Sequence, residues 1–160
     1  METTDNTLRV MKLASTAIMP VRASDEAAGY DLAACLKDRN GASLVELTKN
    51  GTITIQPGAR QLIPTGLAFT VPEGTYGRIG PRSGLALNNG LDTLAGIVDR
   101  DYTHEVGVIL INLGQEPFVI EHAMRIAQLV IEKIETPDVL EVDRLDETGR
   151  GAGGFGSTGH

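Results

Sequence analysis

A single cysteine, Cys35, stands among the 160 residues, which excludes an intramolecular disulfide and any cysteine-cluster metal site. It follows Ala33 and Ala34 in an apolar run, so a buried, inert thiol is the favoured reading. Lysine is scarce too. Lys12, Lys37, Lys49 and Lys133 are all there are, leaving arginine as the expected reader of any phosphate. Positive charge is in deficit, with 14 basic residues against 21 acidic ones and a net charge of −7. A general nucleic-acid binder needs a basic face, so that class is excluded, and arginines serving an anionic ligand must be placed locally. No apolar span is long enough for a transmembrane helix. The opening METTDNT is acidic and has neither a signal-peptide nor an arginine-rich transit pattern, which predicts a soluble, intracellular protein, cytoplasmic or nuclear. A GxxxxGK(S/T) phosphate loop is also missing.

What is present is a chain of single-domain length, able to bury a core without staples. Glycine and proline break it into short strand-like runs, about every eight to twelve residues, the pattern of an all-β sandwich or barrel. Strands are predicted over residues 8–13, 31–34, 44–47, 52–55, 60–64, 67–71, 76–80, 96–99, 105–112, 118–120, 125–134 and 139–142. Only Ser83–Asn89 reads as helix, with Ser83 as a suitable N-cap and Gly90 as a suitable stop. Asn50-Gly51 is a hairpin signal, and the excursion over residues 37–51 is expected to project from a domain spanning 1–149. Residues 150–160, RGAGGFGSTGH, hold five of the nineteen glycines. Such a run cannot fold alone. It is either a disordered tail or a strap closing over a phosphate chain, with Arg150 to take phosphate, Phe155 to stack on a flat ring, and the Ser157 and Thr158 hydroxyls to donate.

Four further stretches carry candidate chemistry. Pro81-Arg82-Ser83-Gly84 is an ordinary helix start with a surface arginine, or a small anion site. Within residues 96–102, Asp99 ends an apolar run and is either one of two solvated turn aspartates or a carboxylate at a cleft rim, able to take a proton from water or hold a metal. Tyr102 could lie flat against a sugar. Asp31 sits in an apolar setting after Gly29 and Tyr30 and needs an arginine or a hydrated cation as partner. Arg125 and Gln128 are the only polar groups of a buried-looking strand, serving core-edge hydrogen bonding or, through Gln128, a phosphate oxygen. His104, His122 and His160 share no metal-ligand spacing, and no nucleophilic triad is indicated.

In order and spacing, five stretches resemble the five motifs of the trimeric dUTP pyrophosphatases (dUTPases): AGYDL at 28–32, GRIGPRSGLA at 77–86, GIVDRDYTHEVGV at 96–108, RIAQLVI at 125–131 and RGAGGFGSTG at 150–159. The resemblance covers nearly the whole chain from Leu8 onward. It implies an all-β jelly-roll (β-clip) subunit, three of which form a homotrimer with active sites at subunit interfaces. The implied reaction is dUTP plus water to dUMP and pyrophosphate, which limits uracil in DNA and supplies dUMP for thymidylate synthesis. Asp99 would activate the water. Mg²⁺ would bridge the phosphates, with Asp31 holding waters of its shell. Arg82, Ser83, Gly84 and Gln128 would grip the phosphates. Gly96, Ile97 and Val98, in a hairpin, would pair with the uracil edge, and Tyr102 would exclude a ribose hydroxyl. Arg150, Gly156, Ser157 and Thr158 would close on the γ-phosphate, with Phe155 over the base. A dCTP deaminase shares the fold, but Asp99 to Tyr102 and the Phe155 strap match the hydrolase. A binding or scaffold role acting through residues 37–51 is the reading from a different class. Thr103-His104 departs from the family's common Arg-Gly, which could disturb the Tyr102 turn if a positive φ is needed.

Overall fold

The computed structural model describes residues 6–38, 40–43, 51–149 and 151. Twelve strands and one helix form in that range, so the all-β expectation holds. The largest sheet has five antiparallel strands in the order β2 (Val21–Arg22), β3 (Tyr30–Ala33), β12 (Arg125–Lys133), β7 (Thr75–Pro81) and β9 (Ile97–Val98). A three-stranded sheet orders β5 (Arg60–Pro64), β10 (Gly107–Asn112) and β8 (Leu91–Leu94), while β1 (Arg9–Lys12) pairs with β6 (Leu67–Thr70) and β11 (Phe118–Ile120) with β4 (Ile53–Ile55).

The sequence pattern explains the layering. In β10 every second residue is buried, Val108, Leu110 and Asn112 facing inward, as a strand of period two with one covered face requires. Leu32, Ile63, Leu67, Val108, Ile120, Ala127 and Leu129 lose all solvent exposure in one continuous core. Cys35 lies in that core, as expected. The buried Asn112 is satisfied on every side: its amide nitrogen donates to the carbonyls of Ile55 at 2.9 Å and Glu116 at 2.8 Å, and its Oδ1 accepts from the Gly114 N–H at 2.9 Å.

Helix α1 occupies Ser83–Asn89, and Gly90 ends it in the left-handed region at φ 69°. Its start differs from expectation. Arg82, extended at φ −87° and ψ 129°, is the N-cap, and Ser83 is the first helical residue. Strand β7 runs through Pro81 to the edge of the helix, so the extended cap falls on Arg82, whose side chain is engaged elsewhere.

Two other differences have physical reasons. Residues 139–142 form no strand, because Val139, Leu140 and Val142 lie exposed with no ladder among the described residues. Strands β2 and β8 were not expected, being short and interrupted by polar residues. The stretches at 44–47 and Asn50 lie outside the described residues; the root of that excursion is a tight turn in which Asp38 Oδ1 accepts from the N–H groups of Asn40 and Ala42, closed by a Lys37–Ser43 bridge. Among the described residues no helix is long and apolar enough to cross a membrane.

Candidate active site

Strand β12 builds one half of the site because it lies between β3 and β7. Gln128 stands opposite Asp31 on one side and Gly80 on the other, so residues remote in sequence share one face. Gln128 Nε2 donates to the Pro81 carbonyl at 2.9 Å. A side chain on Gly29 would collide with the Gln128 amide, so the glycine leaves Gln128 room to lie where it does. Asp31 finds arginine as its partner, twice over: Arg82 Nε lies 3.1 Å from Oδ1 and Arg125 Nη1 lies 3.0 Å from Oδ2. Ser83 and Gly84 are exposed at the first two positions of α1, where backbone N–H groups have no partner within the helix. This half offers donors of positive character around a single enclosed carboxylate.

The second half is an open pocket of about 260 Å³ walled by residues 94–99, Tyr102, residues 105–107, Leu62, Ile79 and Ile109. Its floor is held by backbone. Gly96 has φ 106°, its carbonyl accepts the Ile79 N–H at 2.7 Å, and a Cβ there would meet the Ile79 oxygen at 2.7 Å. Residues 96–98 lie in the connection between β8 and β10, which pair antiparallel as the arms of a hairpin, while β9 itself joins β7. The chain changes sheets between β8 and β9, through positive-φ Ala95 and Gly96. As the terminal strand of its sheet, β9 keeps an outer edge whose backbone groups no described strand takes up. Asp99 is exposed at the pocket wall, and its carboxylate has no partner among the described residues. Tyr102 is tied down by its hydroxyl, which donates to the Glu105 carbonyl at 2.9 Å. Glu105 in turn accepts the Gly66 N–H at 2.8 Å. His104 packs edge-on against Tyr102, ring centres 5.9 Å apart, and is not among the residues with positive φ. The Thr103-His104 change therefore fits the turn without strain.

Asp31, Arg82 and Gln128 are thus brought together, and so are Gly96, Ile97, Val98, Asp99 and Tyr102, but the pocket walls include none of the first three. Arg150, Phe155, Gly156, Ser157 and Thr158 lie outside the described residues. Sequence reading assigned no site role to Arg125, Gly29 or Glu105. Arg125 had a signal, an arginine opening a strand that is otherwise buried; Glu105 had none. No group of three or more metal-ligating side chains occurs among the described residues. The donor set fits a metal carried by substrate phosphates, with Asp31 as a neighbouring carboxylate whose oxygens keep lone pairs beyond the two arginine bonds.

Fold and site define an all-β protein with an arginine–carboxylate cluster and a separate backbone-walled pocket, a class that includes nucleotide enzymes of jelly-roll type. The chain belongs to the dUTPase family, whose family model matches residues 15–159. It is 48% identical over 151 residues to a deoxyuridine 5'-triphosphate nucleotidohydrolase of Arabidopsis thaliana, covering 94% of this chain and 82% of the plant protein. Among solved structures, a mutant dUTPase of Staphylococcus bacteriophage 80alpha with dUpNHpp superposes with a TM-score of 0.77 at 28% identity, covering 97% of this chain and 99% of that one. A mutant dUTPase from phage phi11 of S. aureus, described for its coordination of a structural Mg(II) ion, gives a TM-score of 0.71 at 25% identity, covering 87% of this chain and 98% of its own. The β-clip jelly roll is the fold these proteins share with this chain.

Proposed function

We propose that the protein hydrolyses dUTP to dUMP and pyrophosphate by attack of water on the α-phosphorus. The observation that carries this reading is the Asp99 carboxylate, without a partner among the described residues, at the wall of a pocket sized for a nucleoside and lined by a strand edge that no described strand pairs. Asp99 takes a proton from the attacking water as the new oxygen–phosphorus bond forms and the α–β bridging bond breaks. The uracil edge pairs with backbone groups along Gly96, Ile97 and Val98 that the contacts with β7 leave free, a pattern cytosine cannot satisfy. Unpaired buried polar groups then reject the wrong base at about 1–3 kcal/mol each. The pocket excludes the thymine methyl, and Tyr102, fixed through its hydroxyl, closes the space a ribose 2′-hydroxyl needs.

Arg82, Ser83, Gly84 and Gln128 bind the phosphates. Mg²⁺ bound with those phosphates would supply charge neutralisation for the leaving pyrophosphate, and Asp31 would be the residue that holds waters of its shell. Because the two halves of the site do not share one pocket, we assign them to different subunits of a homotrimer. Residues 150–160 of a third subunit close the site, Arg150, Gly156, Ser157 and Thr158 on the γ-phosphate and Phe155 over the base. The cytoplasm or nucleus is the proposed place of action, and direct nucleic-acid binding is not part of this role.

Asp99→Asn tests the mechanism. The variant binds dUpNHpp as the wild type does, and turnover of dUTP falls by roughly two to four orders of magnitude. Near-normal turnover would remove Asp99 from the chemistry.

A further inference from the structure

Asp31 is shared by two guanidinium groups of unequal standing. Its side chain is 13% exposed, against 31% for Arg82 and 57% for Arg125. Arg82 also donates from Nη1 to the Arg125 carbonyl at 3.3 Å, so it is held at two points in the free protein. An enclosed carboxylate is costly without a counter-charge. If Arg82 is to turn toward a polyphosphate, it leaves Asp31 facing an incoming chain of the same sign, which like-charge repulsion opposes. Arg125 is the counter-charge that can stay behind.

The backbone is built to put it there. Along β12, Gln128 pairs with Asp31 and Ala127 with Leu32, but the next partner of Ala33 is Arg125 and not Ile126. Ala33 lies on the same face of β3 as Asp31, since faces alternate with period two. A regular ladder would place Ile126 on that face and turn Arg125 away. The extra residue, a β-bulge, lets Ile126 remain buried at 1% exposure while Arg125 reaches the Asp31 carboxylate.

We propose that Arg125 is a positioning residue: it keeps Asp31 neutralised, so that Arg82 can exchange that carboxylate for substrate phosphate. The inference rests on the dUTP reading of the site and adds to it a residue that acts only through Asp31. The effect is specific to ligands with several phosphates, because a single phosphate brings less charge toward Asp31.

The test is calorimetric titration of the full-length chain with dUpNHpp and with dUMP, metal chelated, on the wild type and on Arg125→Gln, Arg125→Lys, Asp31→Asn and the Asp31→Asn/Arg125→Gln double variant. Arg125→Gln weakens dUpNHpp binding by about tenfold or more, the scale of one charge-assisted pair. Its dUMP affinity changes by about threefold or less, and Arg125→Lys recovers part of the loss. In the Asp31→Asn background, Arg125→Gln costs about threefold or less, because no carboxylate is left to neutralise. With Mg²⁺ present, KM for dUTP rises in Arg125→Gln more than kcat falls. Equal loss of dUpNHpp and dUMP, an unchanged dUpNHpp affinity, or an Arg125→Gln cost that persists without Asp31 would each overturn the proposal while leaving the dUTP reading intact. A wild-type protein that binds no dUpNHpp overturns the reading of the site and this proposal with it.

Discussion

Gly96 is the point where the pocket depends most directly on backbone geometry, and Gly96→Ala exposes that dependence. At φ 106° an alanine is strained, by about 1–3 kcal/mol. Its Cβ would also sit 2.7 Å from the Ile79 oxygen, a backbone atom that cannot rotate aside. Relief requires β7 and residues 95–97 to separate, which weakens the 2.7 Å hydrogen bond from the Ile79 N–H to the Gly96 carbonyl, worth about 1 kcal/mol. The sum is about 3 kcal/mol, or a fall in Tm of roughly 6–12 °C for a chain of this size. Displacing the same residues moves the pocket wall, so dUpNHpp affinity falls about tenfold or more. Gly58→Ala is the matched control. Gly58 also has positive φ, 75°, but nothing lies within 4 Å of the added Cβ. That variant loses about 1 kcal/mol and keeps its affinity. Thermal unfolding and ligand titration on both proteins decide the matter. If Gly96→Ala melts with Gly58→Ala and binds dUpNHpp like the wild type, the close-approach argument is wrong.

Asn112→Leu leaves the Ile55 and Glu116 carbonyls and the Gly114 N–H without their side-chain partner, costing about 3 kcal/mol or more. Denaturant unfolding should show a lower midpoint, and a midpoint equal to the wild type would contradict the account of this buried amide. The Tyr76 phenol is held above its ordinary pKa, first by its hydrogen bond to Glu132, then by burial and the Glu132 charge. The proton stays on in the folded state where the unfolded chain loses it. This contribution is therefore complete below about pH 10 and is lost as pH rises through the raised value. Ultraviolet titration should show a late phenolate that disappears in Tyr76→Phe; an alkaline end of the titration that Tyr76→Phe leaves unchanged would refute it.

The elements most readable in the sequence are those bounded by strong punctuation. Helix Ser83–Asn89 ends at Gly90, and Arg60–Pro64 and Phe118–Ile120 have turn residues on both sides, so their limits match the expected ones. Residues 139–142 show the opposite case. Val139, Leu140 and Val142 have strand-forming side chains, but a strand needs a partner edge and a covered face, and among the described residues this stretch has neither. At the site, the residue types of Asp31, Arg82, Gln128, Asp99 and Tyr102 were readable as candidates, and the need of Asp31 for a cation followed from its apolar neighbours. Which cation did not follow, because Arg82 and Arg125 lie 51 and 94 residues away along the chain. Nor was the role of Arg125 accessible, since alternation puts it on the wrong face and only a bulge in β12 corrects this. The same holds for the corner at Ala95-Gly96, where the chain passes from the sheet of β8 to that of β9, because strand pairing across sheets is not a local property.

The most direct test of the central claim is pyrophosphate release from dUTP, dCTP, dTTP and UTP in parallel, with and without Mg²⁺. The account predicts release from dUTP alone, strongly increased by the metal. Equal release from UTP would contradict the role given to Tyr102, release from dCTP or dTTP would contradict the backbone reading of uracil, and no release from any of them would contradict the proposed function as a whole.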